Sequence, residues 1–123
     1  MKVLAIRGAT TVTSNNKSEI LKETSKLIET IILKNSLNID DIISICFTMT
    51  KDLDAVYPAV AVREILDIHD IPMLNYEEKH IQGSLNKCIR VMMYINTDKN
   101  RCDMNHIYLN DAKNLRKDLI NEQ

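Results

Sequence analysis

Tryptophan is absent from this chain, phenylalanine occurs once, and glycine and proline occur twice each. With so few aromatic platforms, stacking on the bases of single-stranded nucleic acid has little to work with. A polyanion finds no basic field either, since the formal net charge is -1 and the lysines are scattered rather than striped. No apolar run approaches the roughly 20 residues of a membrane span. The stretch before Arg7 is too short for a secretory core. Cys46, Cys88 and Cys102 are odd in number and lack C-x-x-C spacing. Reduced thiols in a cytoplasmic protein are therefore expected, with Cys46 and Cys88 serving as small hydrophobes inside strand-like segments. His69, His80 and His106 show no metal-ligand spacing, and neither a G-x-S-x-G elbow nor a P-loop occurs. No cysteine has an obvious activating partner, and no cofactor is expected.

What remains is an ordinary globular composition, 45% hydrophobic and 27% charged, in 123 residues that read as a single domain, 1–123. Residues 2–7, KVLAIR, form a first strand that ends at a turn-like Gly8. The polar stretch after it offers Asn15, Asn16 and Ser18 as N-caps. Ile20, Leu21, Leu27, Ile28, Ile31 and Ile32 then fall on one stripe, opposite Lys22, Glu23, Lys26 and Glu29. This spacing predicts an amphipathic helix over 17–34. IISICFTMT, 42–50, reads as a largely buried strand. Pro58 opens a second helix, 58–66, expected to turn Val62, Ile65 and Leu66 inward and Arg63 toward one edge. Strands at 72–77, 87–96 and 106–110 follow, with Gly83 breaking the chain before the second of them. From Asp111 the tail is polar and is expected to be mobile, anchored only by Leu115, Leu119 and Ile120.

The order β-α-β-α-β-β-β implies an α/β (α+β) domain on one five-stranded mixed sheet with two main helices. Two helices leave one face of the sheet short of cover. Self-association is the usual remedy.

Within KCIRVMMYIN, alternation places Cys88, Arg90, Met92 and Tyr94 on one face and Ile89, Val91, Met93 and Ile95 on the other. An arginine inside an apolar strand needs an anionic partner, because desolvating a lone cation costs several kcal/mol. Glu78, just beyond a short strand, is the most plausible protein partner; a bound anion is the alternative. Arg7, Arg63 and Arg116 are further cations available to an anion. Asn75 and Tyr108 could contribute an amide and a hydroxyl.

These residues carry a resemblance. The chain is similar to the AroH-type chorismate mutases, small monofunctional enzymes of aromatic amino-acid synthesis. Matching stretches run almost end to end: IRGATTV at 6–12, EIL at 19–21, DLDAVYPAVAVRE at 52–64, Glu78, KCIRVMM at 87–93 and HIYLNDAKNLRKDL at 106–119. The resemblance implies a homotrimeric pseudo-α/β barrel with active sites at the subunit interfaces. It also implies conversion of chorismate to prephenate by an intramolecular Claisen rearrangement without cofactor, metal or covalent intermediate. On this resemblance Arg90 meets the ether oxygen and a carboxylate of the substrate, and Glu78 accepts from its ring hydroxyl with help from residue 75. Arg7 and Tyr108 hold a carboxylate, Arg63 and Arg116 add positive potential at the mouth, and Tyr57 and Leu115 form apolar wall. Asn75 stands where the family often has cysteine, Val60 replaces a lysine, and the tail reads LRKDL rather than LRPDL. Other readings of the same arginines are a Rid-type imine deaminase, a trimeric small-carboxylate sensor, or an Arg90–Glu78 pair that serves stability alone.

Overall fold

A computed structural model describes residues 1–115. Its single sheet has the order β3-β2-β4-β1-β5. The strands are β1 (Lys2–Thr11), β2 (Ile42–Thr50), β3 (Met73–Glu78), β4 (Cys88–Thr97) and β5 (Ile107–Tyr108). β1 and β2 both run antiparallel to β4, while β3 is parallel to β2 and β5 is parallel to β1. The domain is thus α+β on a mixed sheet, and its central strand is the one that carries Arg90.

Helix α1 spans Lys17–Lys34, and Asn16 caps it by accepting from the Glu19 N–H. Glu19 reciprocates by accepting from the backbone N–H of Thr13 and Ser14, so the turn before the helix is tied to its first turn. The stripe Ile20, Leu27, Ile28 and Ile31 is fully buried against Ile6, Phe47, Val91, Met93 and Ile95. One sheet face is therefore covered by α1, as the periodicity required. Among the described residues no helix is long and apolar enough to cross a membrane.

Four local expectations change. Gly8 is not a turn: β1 runs straight through it, and a Cβ there would come within 3.0 Å of Ile31 Cδ1 and Val91 Cγ1 and 3.1 Å of the Ile107 carbonyl. It is glycine because the helix and β5 press onto the strand at that point. The second helix is helical over 59–65, and most of it is a π-helical turn, Ala61–Ile65, closed by the Leu66 N–H donating to the Ala61 carbonyl at 3.1 Å. The extra residue in that turn shifts the helical phase. Ala61 and Val62 are buried, but Ile65 faces solvent instead of the core. β5 covers two residues, shorter than the strand expected over 106–110. Past it, a 3₁₀ turn at Asn110–Asn114 buries Ala112, so the chain beyond Asp111 has an anchor that its polarity concealed.

Candidate active site

Strand alternation assigns every other residue of each strand to the face away from α1. The registers place Leu74, Tyr76 and Glu78 of β3 beside Cys46, Thr48 and Thr50 of β2, and these beside Cys88, Arg90 and Met92 of β4. Ala9 and Arg7 of β1 continue the same face, and Tyr108 pairs with Ala9 from β5. Arg90, Glu78, Arg7 and Tyr108 thus share one open surface.

Arg90 Nε lies 3.3 Å from Glu78 Oε1, with the side chains 35% and 26% exposed. This distance makes an ion pair, but Nε itself is buried and forms no hydrogen bond. The pairing is therefore not the bidentate fork an arginine offers a carboxylate. Arg7 donates its backbone N–H to His106 Nδ1 at 2.9 Å, and its guanidinium makes no ion pair with a described residue. Tyr108 is buried with Ala9, Cys88 and Ala112, and Leu115 packs against that cluster. The open face therefore gathers Arg7, Glu78, Arg90, Tyr108 and Leu115.

Several contributors have no obvious mark in the sequence. Thr48 donates its hydroxyl to Glu78 Oε1 at 2.9 Å. Cys88 lies beside Arg90, and burial pushes its thiol up to about 11, against the opposing pull of the Arg90 charge. At the start of β4, Asp52 accepts the Lys87 N–H with both carboxylate oxygens, at 3.1 and 3.0 Å. The Thr50 hydroxyl accepts the Cys88 N–H at 3.0 Å. Lys87 has the left-handed φ of 48, so these bonds hold an unfavourable backbone turn three residues before Arg90. A signal existed for Thr48 and Thr50: FTMT alternates polar and apolar in phase with the Arg90 face.

The remaining candidates lie elsewhere. Asn75 belongs to the opposite pleat of β3, and its Oδ1 accepts the Ala59 N–H at 3.1 Å at the start of the short helix. Its amide oxygen is engaged in the fold. Asn75 and Tyr57 line a cleft of about 600 Å³ with Leu53, Val56, Val60 and Glu77. Arg63 is exposed on the short helix. Arg116, like Leu119 and Ile120, falls outside the described residues. Among the described residues no group of three or more His, Cys, Asp or Glu side chains is gathered as a metal site.

Comparison with known proteins identifies the family. The family model of chorismate mutase type I matches residues 3–119. The chorismate mutase AroH of Bacillus subtilis (strain 168) is 41% identical over 119 residues, covering 97% of this chain and 94% of that one. The chorismate mutase AroH of Thermus thermophilus is 35% identical over 122 residues, covering 98% and 99%. The solved chorismate mutase from Clostridium thermocellum superposes with a TM-score of 0.88 at 53% identity, covering 91% of this chain and 99% of that one. With a match across nearly its whole length, this chain belongs to the chorismate mutase type I family.

Proposed function

We infer that this protein is an isomerase, a chorismate mutase that converts chorismate to prephenate on the path to phenylalanine and tyrosine. The observation that carries the reading is the open sheet face on which Arg90 and Glu78 meet, with Arg7 and Tyr108 alongside. Family membership does not favour the imine-deaminase and carboxylate-sensor alternatives. A pair serving stability alone would be expected to saturate both partners, yet Arg90 offers Glu78 only Nε.

Chorismate is a dianion whose rearrangement breaks a C–O bond as a C–C bond forms. No proton moves and no electrons are exchanged with an outside group, so positioning and electrostatics are what a protein can contribute. The Arg90 fork stabilises charge developing on the ether oxygen and contacts a carboxylate. Glu78 accepts from the ring hydroxyl, and Arg7 with Tyr108 takes a carboxylate. Leu115 supplies apolar wall.

The residues on the other side of the sheet suggest how the site is completed. Asn75 and Tyr57 cannot reach the Arg90 face of their own subunit, because the sheet lies between. A neighbouring copy can present them. The open face also carries Val3 at 61%, Leu74 at 58% and Tyr76 at 50% exposure, apolar surface that needs cover in a protein of this size. A homotrimer whose sheets pack centrally as a pseudo-barrel, with the sites at subunit interfaces, meets both requirements. Cytoplasmic residence fits the free cysteines.

The test is the loss of chorismate's ultraviolet absorbance on adding purified protein, with the product identified as prephenate through its acid conversion to phenylpyruvate. Sizing by light scattering accompanies it. Saturable turnover by a trimer is expected; a folded trimer without turnover would refute the activity, and a fully active monomer would refute the interface site.

A further inference from the structure

Glu78 is held by two groups at one oxygen. Its Oε1 takes the Thr48 hydroxyl at 2.9 Å, and Arg90 Nε stands 3.3 Å from the same atom. The hydrogen bond to Oε1 is therefore Thr48's, while Arg90 Nε is an ion-pair neighbour that makes none. No described residue donates a hydrogen bond to Oε2.

The topology explains why a threonine can do this. β3 and β4 are not neighbours; β2 lies between them. Thr48 of β2 is opposite Arg90 in one register and opposite Tyr76, two residues before Glu78, in the other. Its hydroxyl therefore sits on the open face between the glutamate strand and the arginine strand. A β-branched side chain on a strand has restricted χ1, so the donor is fixed before any ligand arrives.

We propose that Thr48 is a positioning residue for the rearrangement: it pins Oε1 of Glu78, which leaves Oε2 aimed at the ring hydroxyl of the substrate. This rests on the chorismate mutase reading above. Without the Thr48 donor, the carboxylate is held by Arg90 alone and can turn toward the guanidinium. There it competes for the N–H groups that the substrate's ether oxygen and carboxylate require. Thr48 thus keeps the cation and the anion of the pair at their separate tasks, a preorganising role.

The experiment compares Thr48→Val, Thr48→Ser, Glu78→Gln and the Thr48→Val/Glu78→Gln double variant in chorismate turnover. Thr48→Val should lower kcat roughly 10- to 100-fold, the scale of one lost hydrogen bond to a charged group, with little change in KM. Thr48→Ser should stay within about threefold of wild type, because it retains the donor. The double variant should be no slower than Glu78→Gln alone, because Thr48 acts only through that carboxylate. Wild-type rates in Thr48→Val would overturn the proposal. So would equal losses in the serine and valine variants, or a Thr48→Val loss that multiplies in full onto Glu78→Gln. If the valine variant fails to assemble, Thr48→Ala makes the same removal and the same comparisons apply. Wild-type protein inert toward chorismate would refute the function instead, an outcome that no Thr48 variant can mimic.

Discussion

Replacing Gly8 by alanine tests how the strand that carries Arg7 is seated. The new Cβ would meet Ile31 Cδ1 and Val91 Cγ1 at 3.0 Å and the Ile107 carbonyl oxygen at 3.1 Å. These neighbours do not yield equally. Ile31 can swing a terminal methyl aside at small cost. Val91 is β-branched and sits in the central strand with little rotamer freedom. The Ile107 oxygen is backbone, so relief there means moving β5 away from β1. Overpacking of this kind costs roughly 1–3 kcal/mol. Loss of glycine's freedom in the unfolded chain offsets about 0.4–1 kcal/mol of that. A net destabilisation of about 1–2 kcal/mol is expected. Because Ile107 precedes Tyr108, the same displacement should shift Tyr108 from its seat on Ala9 and lower turnover as well. Urea unfolding at one fixed protomer concentration gives the stability change, since assembly contributes to the apparent value. Initial rates give the second number. A midpoint equal to or above wild type, with the m-value unchanged, would refute close approach as the reason that position 8 is glycine.

Arg90→Lys keeps the charge but not the fork, and turnover should fall at least about 100-fold while circular dichroism and oligomer size hold. A variant within a few-fold of wild type would remove Arg90 from the role given to it. Arg63, exposed on the short helix, should act through long-range potential. Arg63→Ala should chiefly raise KM, more at low salt than at high; a salt-independent change in kcat alone would contradict this. The Glu19 carboxyl is held below its ordinary value of 4.5, first of all by the Thr13 N–H. A lowered folded value contributes stability above the unfolded pKa that is lost as pH falls through the folded one. Thermal melts of wild type should therefore drop as the solution is acidified below 4.5, and Glu19→Gln should flatten part of that drop. Parallel curves would exclude the contribution. With its thiol at about 11, buried Cys88 stays protonated near neutrality, whereas Cys102 is exposed. Iodoacetamide at pH 7.5 should label Cys102 first by peptide mapping, and rapid labelling of Cys88 in the native protein would contradict its burial.

The legible parts share a physical cause. Helix α1 occupies the expected 17–34 because its apolar stripe, its N-cap and its burial all agree, so local and tertiary preferences point the same way. Arg90 stood out because a cation inside an apolar strand demands a partner whatever the fold. Gly8 and Ile65 did not yield to the same reading. The role of Gly8 depends on α1 and β5 converging on one point of β1, which no neighbouring residue encodes. Ile65 depends on one extra residue in a helical turn, which periodicity assumes away. Nothing in the sequence around Asn75 showed that its amide oxygen also holds the start of the short helix.

The sequence by itself determined the buried stripe of α1, which strand holds a cation that needs an anion, and, through matching blocks along the chain, the family. Those properties follow from residue chemistry and spacing along one dimension. Only the tertiary structure decided which groups meet. β2 lies between β3 and β4, so Glu78 reaches Arg90 across a strand that contributes Thr48. Strand order and register are set by long-range pairing, and a shift of one residue would turn Arg90, Glu78 or Thr48 to the buried face. Pleat parity likewise assigned Asn75 to one side of the sheet and Glu78 to the other, because successive side chains on a strand point in opposite directions.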